Sequence, residues 1–211
     1  MRREPWLWAT LISASLSLLF FVGPIEVLLP FVVRNGLHAG AAGFGAVLAA
    51  TGAGAVVTSL VMSQTGAPRR YLTFMYGVWG VATLPFLVYA FGGALWQFLA
   101  VAILEGACMT GGQVVWGTLM STRVPAGLRG RVHSLDWFVS IGLTPLSFAL
   151  TGPVSQAIGV ESTLVVAAVV PALAMVVLYF AAGLRRDEER YADAVSGAPA
   201  TAAGSSTPAI S

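Results

Sequence analysis

The sequence predicts an all-α integral membrane protein that crosses the bilayer six times. Hydrophobic residues make up 57% of the chain and charged residues only 9%, against roughly a quarter charged in soluble domains. Long apolar stretches lack the polar face that a water-exposed helix shows every ~3.6 residues. Each has the ~20 residues that are needed to cross ~30 Å of hydrocarbon. The stretches are residues 6–33, 41–62, 72–91, 95–121, 132–157 and 163–184.

The positions of the basic residues predict the orientation. All 11 basic residues are arginines, and only Arg34 falls on the opposite side of the predicted topology from the others. Short loops that are rich in arginine favour the cytoplasm. We therefore expect a protein of the plasma or inner membrane with both termini in the cytoplasm, as an even number of spans also requires.

The connections between the stretches are too short to hold a soluble domain. Residues 1–185 are therefore predicted to form one transmembrane domain of six helices. Residues 186–211 are predicted to be a cytoplasmic tail, mostly disordered because its last part is rich in Gly, Ala, Ser, Pro and Thr. Within the domain, residues 6–91 and 95–184 would be two three-helix units related as an inverted repeat.

Several chemistries lack the residues that they need. Without lysine the chain has neither a GxxxxGK[ST] phosphate-binding loop nor Schiff-base chemistry. It contains no HExxH or GxSG motif, and no set of His, Cys or carboxylate residues has the spacing of a metal site. The single Cys108 is interpreted as a small buried apolar residue. We expect no enzyme activity, no metal, no cofactor and no nucleic-acid partner.

A face of small residues follows the second stretch. Its members recur every four residues: Ala42, Ala46, Ala50, Gly54 and Thr58, with Gly45, Ala49 and Ala53 in an adjacent row. Small side chains at this spacing let two helix backbones approach closely. The sequence leaves open whether the partner helix belongs to the same chain or to a second copy.

Two carboxyl groups deep in predicted spans are candidate functional groups, because burying a charge in lipid is costly. Glu26 lies about eight residues, or ~12 Å, from the outer end of the first span, and Glu105 about ten residues, or ~15 Å, from that of the fourth. We predict both as proton-coupling groups of a central cavity, since a buried carboxyl can carry a proton. The alternative is a protonated or hydrogen-bonded carboxyl that holds helices together.

Further polar and aromatic residues accompany the carboxyl groups. Gln113 and Trp116 in the fourth stretch are predicted to line the substrate cavity, although simple packing would also suit them. Asp136 lies one turn into the fifth stretch. It can pair with Arg129 or Arg131, or it can act as a favourable charge in the first turn of its helix.

The segment VPAGLRGRVHSLDWFVSIGLTPLS, preceded by QVVWGTLMSTR, is the most specific part of the chain. Together with EPWLW at the start, GPIEVLLP in the first stretch and APRRYL after the second, it resembles the C-terminal half of a major facilitator superfamily transporter. The similarity covers about residues 4–185. It is greatest to the drug-efflux branch, which contains macrolide and siderophore exporters.

The resemblance implies half of a twelve-helix fold, in which two six-helix halves rock around a central cavity and many members exchange a drug for protons. It also implies a cytoplasmic gate formed by Arg129, Gly130, Arg131 and Asp136. Glu26 would match an acidic position in the first helix of this half. The exporters often carry Asn and Gln beside the WxT of the fourth helix, whereas this chain has Gln113 and Ser121 there.

Six helices are half of that fold, and one half alone would have nothing to rock against. Three accounts stay open: a partial reading of a longer gene, one half of a split transporter or a homodimer, and a half-size relic. We therefore expect an exporter of small lipophilic molecules, or half of one, driven by protons. The alternative is an inactive fragment or a non-transporting membrane scaffold that binds through the small-residue face.

Overall fold

The computed structural model describes residues 5–66, 68, 70–123 and 126–181. Within these residues every regular element is helical, which confirms the predicted all-α class. The predicted tail, residues 186–211, lies outside the described residues.

The helices follow the predicted stretches, with interruptions that the apolar pattern did not show. In chain order the elements are α1 (Pro5–Gly23), a first π-helical segment (Pro24–Leu28), α2 (Leu29–Phe31), a second π-helical segment (Val32–Gly36), α3 (Gly40–Thr65), α4 (Tyr71–Ala82), α5 (Pro85–Phe91), α6 (Leu95–Arg123), α7 (Ala126–Ile158) and α8 (Val160–Ala181).

Five helical segments of the described chain are long and apolar enough to cross a membrane. They are Ser15–Gly36, Gly40–Thr65, Tyr71–Phe91, Leu95–Thr122 and Val160–Ala181. The fifth predicted span, residues 132–157, lies in α7 and is not among these five segments. Several side chains of that helix lie outside what the structure describes. A span at residues 132–157 therefore stays a prediction, alongside the five spans that the described residues show.

Glycine and proline set several helix ends. α3 ends before Gly66, and Gly159 separates α7 from α8; both have positive φ values, 76° and 87°, which disfavour a side chain. The predicted span 72–91 is divided into α4 and α5 because Pro85 has no N–H to continue the helix. The Thr83 hydroxyl at this break lies 2.9 Å from the carbonyl oxygen of Ala168, so the break is docked onto α8.

The most extensive helix contacts join the two predicted three-helix units. α3 packs against α6, α1 packs against α7 and α8, and both α4 and α5 pack against α6 and α8. Contacts within each unit are less extensive among the described residues. Residues 6–91 and 95–184 are therefore interleaved.

Two apolar clusters fill the interior, and each draws residues from both units. The lower cluster lies at the end of the bundle that carries the connection from α6 to α7. Its buried members are Leu72, Met75, Tyr76, Val115, Trp116, Leu119, Met120, Val132 and Met175. The upper cluster lies at the opposite end and consists of Leu28, Leu29, Val33, Val47, Phe86, Tyr89, Phe98, Ala102, Leu164, Ala167 and Ala168.

α3 and α6 approach closely at two glycines. A Cβ atom at Gly54 of α3 would overlap the carbonyl oxygen of Ile103. A Cβ atom at Gly106 of α6 would overlap the carbonyl oxygen of Thr51. Backbone contact of this kind brings many atoms into van der Waals range, which is a main attraction between helices in lipid.

The small-residue face of the second stretch therefore serves packing within the chain at Gly54. The adjacent row is different, since its members are exposed in this chain: Gly45, Ala49 and Ala53. A contact between two copies through that row stays a prediction.

Gly54→Leu should destabilise the bundle, because the new side chain meets backbone that cannot move aside. We expect an overpacking cost of about 1–3 kcal/mol or more, seen as a lower thermal unfolding midpoint of the purified chain in detergent. Gly52→Leu is the matched control, since it adds the same side chain to the same helix where nothing lies within 4 Å of a Cβ. Equal midpoints for the two variants would contradict the close approach of α3 and α6.

Candidate functional site

Glu105 lies in the interior of the bundle, on the candidate span Leu95–Thr122. Only 2% of its surface is exposed. Phe98 and Ala102, two turns and one turn earlier on the same face of α6, are fully buried in the upper cluster. The sequence thus places one carboxyl group on an otherwise apolar face.

The hydrogen-bonding partner of this carboxyl group is Tyr89 of α5, which sequence analysis missed. Its hydroxyl donates to Glu105 Oε2 over 2.8 Å. The tyrosine ring is buried between Phe86 and Phe98, with ring centroids 5.9 and 5.0 Å away. A buried tyrosine hydroxyl needs a partner of this kind, and in an apolar environment the bond is stronger than in water.

The geometry of a helical hairpin brings these two side chains together. Only Gly92–Ala94 separates α5 from α6, and such a short connection makes the helices antiparallel neighbours. Helical side chains tilt toward the N-terminus of their own helix, so Tyr89 and Glu105 tilt toward each other. This signal was present in the sequence, as a long polar side chain on each arm of a predicted hairpin.

No arginine whose side chain is described lies in the interior near Glu105. Those side chains are all exposed: Arg34, Arg70, Arg129 and Arg131. The Tyr89 hydroxyl is a neutral donor, so it satisfies one oxygen of Glu105 without neutralising a charge. An ionised carboxylate in such surroundings is costly, and a proton on the carboxyl group removes that cost.

Glu26 has a different environment. It is exposed on the first π-helical segment, Pro24–Leu28, next to the exposed Val27. π-helical turns are rare and occur frequently at functional sites. The structure therefore gives the two predicted proton-coupling residues unequal access: Glu105 is enclosed, whereas Glu26 lies on the surface of the bundle.

A serine of α7 supports the start of this π-helical segment. The N–H of Gly23 donates to Ser147 Oγ over 2.8 Å, and the Ser147 hydroxyl donates to the carbonyl oxygen of Leu19 over 2.6 Å. The hydroxyl bridges two groups that an unbroken α-helix would join directly. Insertions of this kind bend helices. No side chain fits at position 23, because a Cβ there would overlap Ser147 and Thr151.

The two predicted cavity-lining residues also differ in their exposure. Gln113 is exposed on α6. Trp116 is 8% exposed and belongs to the lower cluster, where it packs with Leu119 and Met120. A lining role for these side chains stays a prediction, and the surroundings of Trp116 are those of a core residue.

The predicted cytoplasmic gate contains an unexpected contact. The Arg129 guanidinium donates to the carbonyl oxygen of Ser121 in the last turn of α6, where carbonyl groups lack helical partners and attract a cation. Arg129, Gly130 and Arg131 are exposed. The side chain of Asp136 lies outside what the structure describes, so its predicted pairing with an arginine stays a prediction.

Within residues 5–66, 70–123 and 126–181 no group of three His, Cys, Asp or Glu residues could hold a metal ion. Cys108, predicted to be buried, is only partly buried. The buried polar or charged residues of the described chain are Ser13, Thr83, Ser147, Thr151 and Thr163 with their hydroxyls, and Glu105 with its carboxyl group.

A protein-family model with the description "Transmembrane secretion effector" matches residues 9–202. The match includes Glu26, Glu105 and the segment from Arg129 to Asp136. No curated protein and no solved structure matches the chain.

Ser147→Ala should expose the Gly23 amide, because the variant removes the acceptor that this N–H uses. We expect faster hydrogen exchange in the peptide that contains Gly23 and a loss of about 0.5–1.5 kcal/mol in stability. Ser155→Ala is the control, since the Ser155 hydroxyl donates to Gly152 of its own helix over 2.9 Å. Unchanged exchange at Gly23 in Ser147→Ala would mean that the Gly23 N–H finds an acceptor within α1. The Ser147 hydroxyl would then not be needed there.

Proposed function

The chain belongs to the transmembrane secretion effector family of the major facilitator superfamily, and we propose that it exports small lipophilic molecules in exchange for protons, alone or as half of a transporter. In this proposal the bundle forms one wall of a cavity that opens alternately to the two sides of the membrane. Lipophilic substrates suit an apolar wall, because burial of apolar area favours binding without specific polar contacts.

The observation that carries the proposal is the enclosed carboxyl group of Glu105. Hydrogen bonding to Tyr89 holds it in a candidate membrane span, in apolar surroundings. A membrane helix that needed only shape or packing would be more stable with an apolar residue at this position. A carboxyl group adds a proton that can be taken up and released, which is what coupling to a proton gradient requires.

Glu26 supplies the second part of the proposal. At ~12 Å from the end of the span, an exposed carboxyl group is costly against lipid. We propose that this face of the first π-helical segment borders the cavity, where water or a second protein surface replaces lipid. Gln113, exposed on α6, and Trp116 would contribute to the same wall.

The gate and the topology belong to the same proposal. Arg129, Gly130 and Arg131 would close the cytoplasmic side, with Asp136 as the ionic partner and both termini in the cytoplasm. The Arg129 contact with Ser121 supports this role, since it joins the start of α7 to the end of α6. Loss of that contact would let the two helix ends move apart.

A second six-helix half, from a longer form of this chain, from another chain or from a second copy, is needed for a rocking mechanism. The competing function is a non-transporting scaffold or an inactive fragment. The exposed small residues Gly45, Ala49 and Ala53 favour the scaffold as an alternative, because such a row suits a contact between helices.

The test is uncoupler-sensitive efflux of a lipophilic fluorescent dye from cells that express the full chain. Glu105→Gln should abolish most of the coupled efflux, since the amide keeps the size and the hydrogen-bond acceptor but takes up no proton. Glu26→Gln should reduce it as well. The measurement is the initial efflux rate with and without the uncoupler, normalised to the amount of inserted chain.

Glu161→Gln is the matched control, because Glu161 is an exposed carboxyl group in the first turn of α8. Its efflux should equal that of the unmodified chain. Efflux that resists both the uncoupler and Glu105→Gln would rule out proton exchange through this residue. A folded chain without efflux, alone and together with a second half, would favour the scaffold.

A further inference from the structure

We infer that Tyr89 is a positioning residue for Glu105: its hydroxyl fixes Oε2 and leaves Oε1 as the oxygen that exchanges a proton with water. In the forward step a hydronium ion gives its proton to Oε1, an O–H bond forms and water is released; the reverse step returns the proton to water. The exchange rests on the proposed function. The fixed geometry of the carboxyl group rests on the contacts alone.

The tyrosine is well suited to hold another group, because its own ring is held. Phe86 and Phe98 pack against it, and Phe86 in turn meets Phe21 of α1 edge-on at 4.9 Å between ring centroids. Tyr89 is 1% exposed, so its ring has little room to change rotamer. The position of the hydroxyl oxygen is thereby fixed relative to α1, α5 and α6.

The backbone of α5 is fixed as well. Pro85 begins this short helix, and the Thr83 hydroxyl just before it docks on the Ala168 carbonyl of α8. The hydroxyl of Tyr89 is therefore connected through packed groups to α8 as well as to α6. A carboxyl group that must meet a proton in one geometry benefits from such a rigid support.

Another hydrogen bond between side chains of two helices shows that adhesion alone does not require a carboxyl group. Thr73 of α4 and Tyr179 of α8 join their hydroxyls over 2.9 Å, nearly the same length as the Tyr89–Glu105 bond at 2.8 Å. Two neutral hydroxyls achieve this contact without the cost of a buried ionisable group. The carboxyl group at Glu105 therefore calls for a role beyond helix adhesion, and Tyr89 is the group that orients it.

The first test is infrared difference spectroscopy of the purified full chain in lipid, with acid and alkaline samples compared. Loss of a band in Glu105→Gln assigns the Glu105 carboxyl, in its protonated or its ionised form. Tyr89→Phe should shift that band, toward higher wavenumber if it is the protonated C=O stretch, because a hydrogen bond to the oxygen is removed. Tyr179→Phe, which deletes the hydrogen bond between Tyr179 and Thr73, should leave the band unchanged.

The second test is coupled dye transport in proteoliposomes. Tyr89→Phe should lower the maximal rate roughly tenfold, the loss that one hydrogen bond to a charged group supports, with the KM for the dye unchanged. In the Glu105→Gln background the same substitution should cause no further loss. Tyr179→Phe should have an equal, small effect in both backgrounds.

The outcomes separate the inference from the function on which it rests. An unshifted Glu105 band in Tyr89→Phe overturns the positioning role, whatever the transport result. A further loss of rate when Tyr89→Phe is added to Glu105→Gln also overturns it, since Tyr89 would then act on packing. If the band shifts in Tyr89→Phe but Glu105→Gln transports the dye as well as the unmodified chain, the positioning of the carboxyl group is supported. Proton exchange as its purpose is then refuted.

Discussion

Every backbone N–H and C=O group in a membrane span must find a partner inside the protein, because hydrocarbon offers none. Proline breaks this rule locally, and in this chain hydroxyl side chains lie where the helices are interrupted. Ser147 bridges Leu19 and Gly23 just before Pro24, and Thr83 contacts Ala168 just before Pro85. The bends that place Glu26 and Tyr89 are stabilised by residues far away in the sequence.

The sequence predicted the helical class and most span positions, since composition alone excludes a soluble fold. A span in the fifth stretch stays a prediction, because several side chains of α7 lie outside what the structure describes. The first π-helical segment escaped prediction, since its start is supported by a distant partner, Ser147, as well as by Pro24. Interleaving also escaped prediction, because residue patterns identify a face such as that of Gly54 but not the helix that covers it.

The candidate site was predicted in part. Glu105 was singled out by the cost of its burial, and the structure shows that it is buried. Tyr89 was missed because an aromatic residue in an apolar stretch is usually a core residue. Its hydroxyl becomes relevant only when α5 and α6 are placed side by side as a hairpin, which brings it to Glu105. Glu26 was expected to share the surroundings of Glu105, yet depth along a helix axis does not determine which side of the helix a residue occupies.

The interleaving of the two three-helix units has a consequence for biosynthesis. Because α1 packs against α7 and α8, and α3 against α6, α1 and α3 lack these neighbours until the later helices of the chain have been inserted. During that interval the face of α3 that carries Gly54 is available to any helix nearby in the bilayer. Insertion and tertiary packing are therefore separated in time, and membrane chaperones or proteases would meet the chain in that interval.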